Sequence, residues 1–165
     1  MLIACDKVPI LDRIINNSLR NIGNLYVGDI VANNELLLKE KEISIIIRVA
    51  KQPIFELYSN ISMVNTNKKF ENIEYHFFPI EDNRNENISV YFEETNLIIS
   101  TSIENNKNIL VHCENGVSRS VTIILAYLIK IKNMKLKDAL SLVKNTRTST
   151  FTRPNSGFAK QLLKY

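Results

Sequence analysis

Apolar and polar residues alternate along the chain with two different periods, and these periods predict strands separated by helices. Short runs rich in β-branched residues predict strands at Leu25–Gly28, Ile43–Val49, Ile73–Ile80 and Asn108–His112. Apolar positions three and four apart predict helices at Ile30–Glu40, Tyr91–Ile103, Ser120–Lys132, Leu136–Lys144 and Gly157–Leu163. In the first of these helices, Ala32, Leu36 and Leu37 are expected to face inward. Strands alternating with helices are typical of an α/β domain with a central, mostly parallel twisted sheet flanked by helices on both faces.

The first 21 residues form a separate unit in this pattern. Between Lys7 and Asn21 the apolar side chains are again spaced three and four apart, which predicts an amphipathic helix. We therefore divide the chain into an N-terminal helical segment, residues 1–21, and one domain, residues 22–165, of ordinary size for a single core. The segment packs on its own domain or is exchanged between protomers, so the sequence leaves a monomer and a homodimer open.

Composition excludes several classes of protein. Two cysteines and two histidines are too few for a disulfide scaffold, a cysteine-rich zinc site or a multi-histidine metal site, so no metal or other cofactor is expected. The net charge of +4 comes from basic residues dispersed among acids, which does not indicate a nucleic-acid partner. The longest apolar run, Val121–Ile129, is too short to span a membrane, and the N-terminus lacks a secretion signal. We therefore expect the protein in the cytoplasm, with the nucleus as a further location.

The segment from Cys113 to Arg119 joins a predicted strand directly to a predicted helix. In such a loop the backbone N–H groups of the first helical turn have no partner within the helix, and they converge on a concave space that binds oxyanions. Gly116 permits the left-handed backbone that a tight ring of amides requires. The guanidinium of Arg119 adds a permanently charged fork that fits two phosphate oxygens. The pattern therefore predicts a phosphate-binding loop.

A cysteine stands at the entry of this loop and makes it a candidate catalytic site. The helix N-terminus favours the thiolate form of Cys113, which would lie beneath a bound phosphorus atom for in-line attack. The hydroxyl of Ser120 is placed to donate to the departing sulfur when the intermediate is hydrolysed, and it also fits a helix cap. His112 is expected to order the loop through hydrogen bonds, because a thiolate needs no base. An inert buried cysteine is the competing interpretation.

Four segments, taken in order, resemble the dual-specificity branch of the cysteine-dependent protein tyrosine phosphatase superfamily. The main one is His112-Cys113 to Arg119-Ser120, which is similar to the family's signature of His-Cys, five residues, Arg and Ser or Thr. The others resemble the family's early strand, its general-acid segment and its C-terminal motif, and they are Leu25–Gly28, Phe78–Asp82 and Arg153–Phe158. The resemblance covers residues 22–165 and implies the fold of that family's catalytic domains.

The resemblance also implies a role for each matching residue. Cys113 corresponds to the nucleophile, Arg119 to the phosphate clamp and Ser120 to the loop hydroxyl. Asp82 corresponds to the general acid, which protonates the leaving oxygen and then activates water. The other implied residues are the substrate-binding loop positions Glu114, Asn115, Gly116, Val117 and Ser118, and the supporting residues His112 and Asn155.

Two residues depart from the family pattern. Asn115 stands where many members carry alanine or another apolar residue, and Arg48 stands at a strand end where asparagine is frequent. Neither is expected to touch the core chemistry.

Other residues of the chain are competing candidates for one of these roles, that of the proton donor. Glu81 and Glu86 compete with Asp82 as proton donors, and Asp82 also fits a turn that closes a polar loop. Cys5 is expected to be a bystander, although a peroxide-induced disulfide with Cys113 stays open.

The composition of the loop favours a phosphoprotein substrate over a phosphoinositide or an RNA. Phosphoinositide-directed relatives carry lysines inside the loop, whereas Glu114–Ser118 includes none. RNA-directed relatives carry Asn before the arginine and Thr after it, where this chain has Ser118 and Ser120. No segment matches the deep phosphotyrosine-recognition loop of the larger tyrosine-specific enzymes, so a shallower pocket is expected.

The resemblance therefore implies a dual-specificity protein phosphatase that acts on phosphotyrosine and on phosphoserine or phosphothreonine through a cysteinyl phosphate. Its expected partners are phosphoproteins, with a kinase among the candidates, and neither nucleic acid nor a membrane. The alternative is a catalytically weak module that binds phosphopeptides.

Overall fold

The computed structural model describes residues 22–52, 70–147 and 152–165, and the backbone of residues 6–8. A five-stranded sheet forms its centre. The strands are β1 Asp6–Val8, β2 Leu25–Gly28, β3 Ile43–Ala50, β4 Glu74–Pro79 and β5 Asn108–His112. They lie in the order β1-β2-β5-β3-β4. β1 runs antiparallel to β2 and the other neighbouring pairs are parallel. The predicted mostly parallel sheet is therefore confirmed.

Helices cover both faces of the sheet, as expected. The described helices are α1 Glu35–Glu40, α2 Phe92–Glu104, α3 Arg119–Lys130, α4 Leu136–Thr146 and α5 Ser156–Leu162, with 3₁₀ turns at Ile30–Ala32 and Ile88–Tyr91. On one face, Leu38 of α1 packs in a small cluster with Ile46 and Leu110. On the other face, α2, α3, α4 and α5 enclose the main core. Every residue of α3 from Val121 to Leu128 is buried, so this helix is the central element of that layer.

Strand register brings three strand ends to one place. His112, the last residue of β5, is paired with Gly28 of β2 on one side and with Arg48 of β3 on the other. The carboxyl ends of neighbouring parallel strands share one edge of a sheet, which is where open α/β sheets bind their ligands. The loop that follows His112 therefore starts between the ends of two other strands.

The predicted helix over residues 30–40 is wrong in its first half. A 3₁₀ turn, Ile30–Ala32, comes first, and α1 begins only after Asn34, whose side-chain oxygen accepts a 3.0 Å hydrogen bond from the amide of Leu37. This side chain replaces a helical backbone partner, which is why asparagine favours helix starts over helix interiors. The break changes which face points inward: Leu38 is buried, whereas Leu36, predicted to be internal, is 80% exposed.

The predicted N-terminal helix is wrong at its start. Lys7 and Val8 belong to strand β1 and pair with β2, at Tyr26 and Leu25. Residues 9–21 lie outside the described residues, so the division between residues 1–21 and 22–165 stays a prediction. In the part of the chain that is described, no helix is both long enough and apolar enough to cross a membrane.

Candidate active site

The loop between β5 and α3 is held by hydrogen bonds to its carbonyl oxygens. The carbonyl of Glu114 accepts from the amide of Ile30 at 3.1 Å, and that of Val117 accepts from the amide of Arg153 at 2.9 Å. These carbonyls therefore point away from the interior of the loop, as in backbone nests that bind anions.

Gly116 gives this loop its sharp turn. Its φ of 66° lies in the left-handed region that side chains disfavour. A Cβ atom there would also lie 2.8 Å from the carbonyl oxygen of Gly28, at the end of β2. The predicted left-handed backbone of Gly116 is confirmed, and the loop also packs backbone against backbone at this point.

Cys113 is the first residue of the loop and is almost completely buried, with 1% of its surface exposed. Its sulfur accepts a 3.2 Å hydrogen bond from the amide of Gly116 and lies 3.3 Å from Oγ of Ser120, at the start of α3. An amide N–H that points at sulfur stabilises negative charge on it. The predicted neighbour of the candidate nucleophile, the Ser120 hydroxyl, is present, and a loop amide also points at the sulfur.

Arg119, the first residue of α3, lies beside the sulfur-bearing loop and is 6% exposed. Its Nη1 donates to the carbonyl of Ile80 at 3.2 Å, and its Nη2 forms an ion pair with Oε2 of Glu114. Its Nε is buried and has no hydrogen-bond partner within the described structure. A buried donor without a partner is costly and indicates a missing acceptor, for which a phosphate oxygen is suited.

Asp82 follows β4 and reaches the loop through one oxygen. Oδ1 of Asp82 accepts hydrogen bonds from Oγ of Ser118 at 2.7 Å and from Nδ2 of Asn155 at 2.8 Å. Ser118 Oγ in turn accepts from the backbone amide of Asn155 at 3.1 Å. The rival carboxylate of Glu81 pairs instead with Lys51 at 2.6 Å. The structure therefore brings together Asp82, a loop residue and the C-terminal motif, although their roles stay predictions.

Asn155 contacts more of the site than sequence reasoning assigned to it. Its Oδ1 caps α5 by accepting from the amides of Gly157 and Phe158, both at 3.0 Å. Its other contacts connect that helix start to both Asp82 and Ser118. The sequence predicted support for the phosphate loop alone, because the position of Asp82 relative to α5 depends on the tertiary fold.

His112 lies at the base of the loop and is completely buried. Its Nδ1 lies 3.4 Å from the carbonyl oxygen of Cys113. Burial, and secondarily the positive charge of Arg48, lower the pKa of His112 from 6.5 to about 3. A neutral ring in contact with the loop backbone is consistent with the ordering role that we expected.

Two arginines reach the loop that sequence reasoning did not place there. Arg48 contacts the loop at one residue: its Nη2 lies 3.0 Å from Oε1 of Glu114, which directly follows Cys113. Arg147 is buried and donates through Nη1 to the carbonyl of Gly116. The one local signal was an arginine within a β-branched run, since Arg48 interrupts the apolar sequence of β3.

Comparisons with known proteins identify the family of this chain. The family model described as "Dual specificity phosphatase, catalytic domain" matches residues 25–165. Rat dual specificity protein phosphatase 5 is 40% identical over 106 residues, which are 64% of this chain and 27% of that protein. Human dual specificity protein phosphatase 18 is 35% identical over 144 residues, 86% of this chain and 69% of that protein. The crystal structure of DUSP15 matches with a TM-score of 0.74 at 27% identity, covering 88% of this chain and 84% of that chain.

The region matched by the family model includes the early strand, the signature loop and the C-terminal motif. The chain nevertheless spans only about a quarter of the length of the rat phosphatase. It belongs to the dual specificity phosphatase family, whose catalytic domain it carries in residues 25–165.

Proposed function

We propose that the protein is an active phosphatase, which hydrolyses phosphotyrosine, phosphoserine and phosphothreonine esters in proteins through a cysteinyl phosphate. One observation carries the proposal: a single loop holds a sulfur that receives an amide hydrogen bond and a buried guanidinium whose Nε lacks an acceptor among the described residues. The first supports a nucleophilic thiolate at Cys113, and the second supports phosphate binding by Arg119.

The first step transfers the phosphoryl group to sulfur. The thiolate of Cys113 forms an S–P bond while the bond between phosphorus and the ester oxygen breaks. Arg119 and the loop amides stabilise the charge that spreads over the three remaining phosphate oxygens. Asp82, in its protonated form, gives its proton to the leaving oxygen, which departs as an alcohol or phenol.

The second step returns the enzyme to its starting state. A water molecule attacks phosphorus, and the Asp82 carboxylate accepts the proton that this water loses. The S–P bond breaks, and its electrons return to sulfur as a thiolate. Ser120, with Oγ 3.3 Å from Sγ, donates a hydrogen bond to the departing sulfur. The sum of the two steps consumes an ester and water and yields an alcohol or phenol and inorganic phosphate.

Turnover of p-nitrophenyl phosphate in the presence of EDTA tests the proposal. Wild-type protein should release p-nitrophenol, vanadate should block the reaction, and Cys113→Ser should abolish it. Cys5→Ser is the matched control, since it removes the other cysteine of the chain. A folded wild-type protein without turnover between pH 5 and 8 would overturn the proposal.

A phosphopeptide-binding module is the competing function, and a chemical experiment separates the two. Iodoacetate reacts with thiolates and hardly with thiols, so rapid alkylation of Cys113 at pH 6 favours catalysis. A pure binder needs Arg119 but has no use for a thiolate. Slow alkylation together with micromolar phosphopeptide binding would favour the module.

Kinetics on phosphopeptides determine which phosphorylated residues the protein hydrolyses. We expect measurable kcat/KM on peptides that carry phosphotyrosine and on peptides that carry phosphothreonine, because no deep recognition loop is matched in the sequence. Comparing singly and doubly phosphorylated peptides with the same sequence tests whether a kinase activation segment is a preferred partner. Turnover confined to phosphotyrosine would restrict the proposal to a tyrosine phosphatase.

A further inference from the structure

Arg48 contacts the candidate phosphate loop from β3, a strand that does not lead into the loop. It is 4% exposed and is paired in the sheet with His112, the residue before Cys113. Its Nε and Nη2 each lie 3.2 Å from the carbonyl oxygen of Gln52, and Nη2 lies 3.0 Å from Oε1 of Glu114. A buried guanidinium is therefore directed at the first residue after the candidate nucleophile.

Glu114 is shared between two guanidinium groups. Oε1 of its carboxylate contacts Arg48, and Oε2 contacts Nη2 of Arg119. The side chain is 28% exposed, so the carboxylate lies partly out of solvent. Together with the carbonyl of Ile80, this contact sets the orientation of Arg119, which leaves Nε as the donor for a ligand.

This arrangement has opposing effects on anion binding. The carboxylate of Glu114 orients Arg119, but its negative charge also repels a phosphate that approaches the same guanidinium. Charges a few ångströms apart interact strongly where solvent is largely excluded. A second cation on the opposite carboxylate oxygen offsets that repulsion and keeps the carboxylate in place. Arg48 is in that position.

We propose that Arg48 is a positioning residue for phosphate binding, which acts through Glu114: it neutralises and holds the carboxylate that orients Arg119. The inference rests on the proposed use of this loop for phosphate. It goes beyond that proposal, because it assigns a function to a residue outside the signature loop that never touches the phosphate. It also makes a specific claim about coupling. The loss of Arg48 is harmful because Glu114 remains charged.

Inorganic phosphate binding, measured by isothermal titration calorimetry at pH 7, tests this coupling without requiring turnover. Arg48→Gln should raise the Kd for phosphate about tenfold, which corresponds to about 1.4 kcal/mol. Glu114→Gln alone removes both the repulsion and the ion pair that orients Arg119, and its Kd is the reference for the double variant. The double variant should bind phosphate within about twofold of Glu114→Gln, since no uncompensated charge is left for Arg48 to neutralise.

Three further variants test for effects of charge and of ion pairs in general. Arg48→Lys keeps the charge and should bind phosphate nearly as tightly as wild type. Lys39→Gln, alone and combined with Glu35→Gln, repeats the design on an exposed ion pair of α1 and should leave Kd unchanged. Thermal unfolding of each variant establishes that it is folded.

The outcomes separate the possibilities. A double variant that binds phosphate as tightly as Glu114→Gln supports the proposal, as does a double variant that folds when Arg48→Gln does not. A double variant that binds phosphate about tenfold more weakly than Glu114→Gln overturns it, and so does an Arg48→Gln protein within twofold of wild type. If both unfold, Arg48 acts through packing and the proposal is wrong. Phosphate binding with this pattern but without ester hydrolysis would contradict only the proposed phosphatase activity.

Discussion

The side-chain amide of Asn155 donates a 2.8 Å hydrogen bond to Oδ1 of Asp82. The other end of the Asn155 amide is fixed, because Oδ1 caps α5 by accepting from two backbone amides. Asp82 itself is exposed, so its orientation depends on the hydrogen bonds that it receives from Asn155 and Ser118. A helix cap therefore positions the candidate proton donor over the phosphate loop.

Substitution of Asn155 by serine or alanine separates its contact with Asp82 from its capping of α5. Serine is also a good N-cap but is too short to reach Asp82, whereas alanine removes both contacts. We expect both variants to lower kcat on a phosphothreonine peptide roughly tenfold, and only Asn155→Ala to lose about 1 kcal/mol of stability. Peptide kinetics and urea unfolding measure the two effects. Full activity of Asn155→Ser would show that the Asp82 contact has no part in catalysis.

Asp82→Asn should slow substrates according to their leaving groups. An alkoxide needs a proton in order to leave, whereas p-nitrophenolate leaves readily without one. We expect kcat on a phosphothreonine peptide to fall by roughly 10²–10³-fold and kcat on p-nitrophenyl phosphate to fall much less. Glu81→Gln is the matched control, because this neighbouring carboxylate pairs with Lys51. An equal loss on both substrates would reassign the proton donor.

Gly116→Ala should destabilise the loop. Its backbone is left-handed, and the new Cβ would lie 2.8 Å from the carbonyl oxygen of Gly28. Strain of this kind costs about 1–3 kcal/mol, measured as a lower free energy of unfolding in urea. Asn115→Ala is the control for stability, since Asn115 is the exposed residue next to it. We expect the control to change stability by less than about 0.5 kcal/mol. Equal stabilities would show that the loop adjusts without strain.

The main elements of the fold were predictable because their signals are local. β5 and α3 follow from a β-branched run and a helical apolar pattern within a few residues. The loop between them was predictable for the same reason, since Cys113, Gly116 and Arg119 are close in sequence and need only a strand before them and a helix after them.

Contacts across the sheet were not predictable in this way. Arg48 reaches Glu114 because β3 is in register with β5, and the sequence of β3 contains no sign of its neighbour. Arg147 reaches the carbonyl of Gly116 from the end of α4. Periodicity shows which face of an element is buried, but a buried arginine also needs a partner from another element. That partner is determined by the tertiary fold.

His112 should make stability depend on pH. Burial lowers its pKa to about 3, so the folded protein keeps the ring neutral where the unfolded chain, with a pKa near 6.5, binds a proton. Its contribution to stability is therefore complete above pH 6.5 and is lost as the pH falls toward 3. The free energy of unfolding should fall by up to about 1.4 kcal/mol per pH unit in this window from His112 alone.

Urea unfolding of His112→Asn at pH 7, 6 and 5 tests this assignment. In this variant the free energy of unfolding should lose the part of its pH dependence that comes from His112. His76→Asn is the matched control, because it removes the other histidine of the chain. A wild-type slope in His112→Asn would mean that other groups cause the pH dependence.

Ser120→Ala should slow the second chemical step more than the first. Its hydroxyl lies 3.3 Å from Sγ of Cys113 and stabilises the thiolate, which is the reactant of the first step and the leaving group of the second, so its loss slows only the second step. A hydrogen bond to a charged group contributes about 1.5–3 kcal/mol, so hydrolysis of the cysteinyl phosphate should slow roughly 10–100-fold. Stopped-flow mixing with p-nitrophenyl phosphate should then show a burst of one p-nitrophenol per site followed by slow turnover. Thr122→Ala removes another buried hydroxyl from α3 and should give the wild-type time course. If Ser120→Ala slows both steps equally and shows no burst, its hydroxyl serves the folding of the loop and not the departure of sulfur.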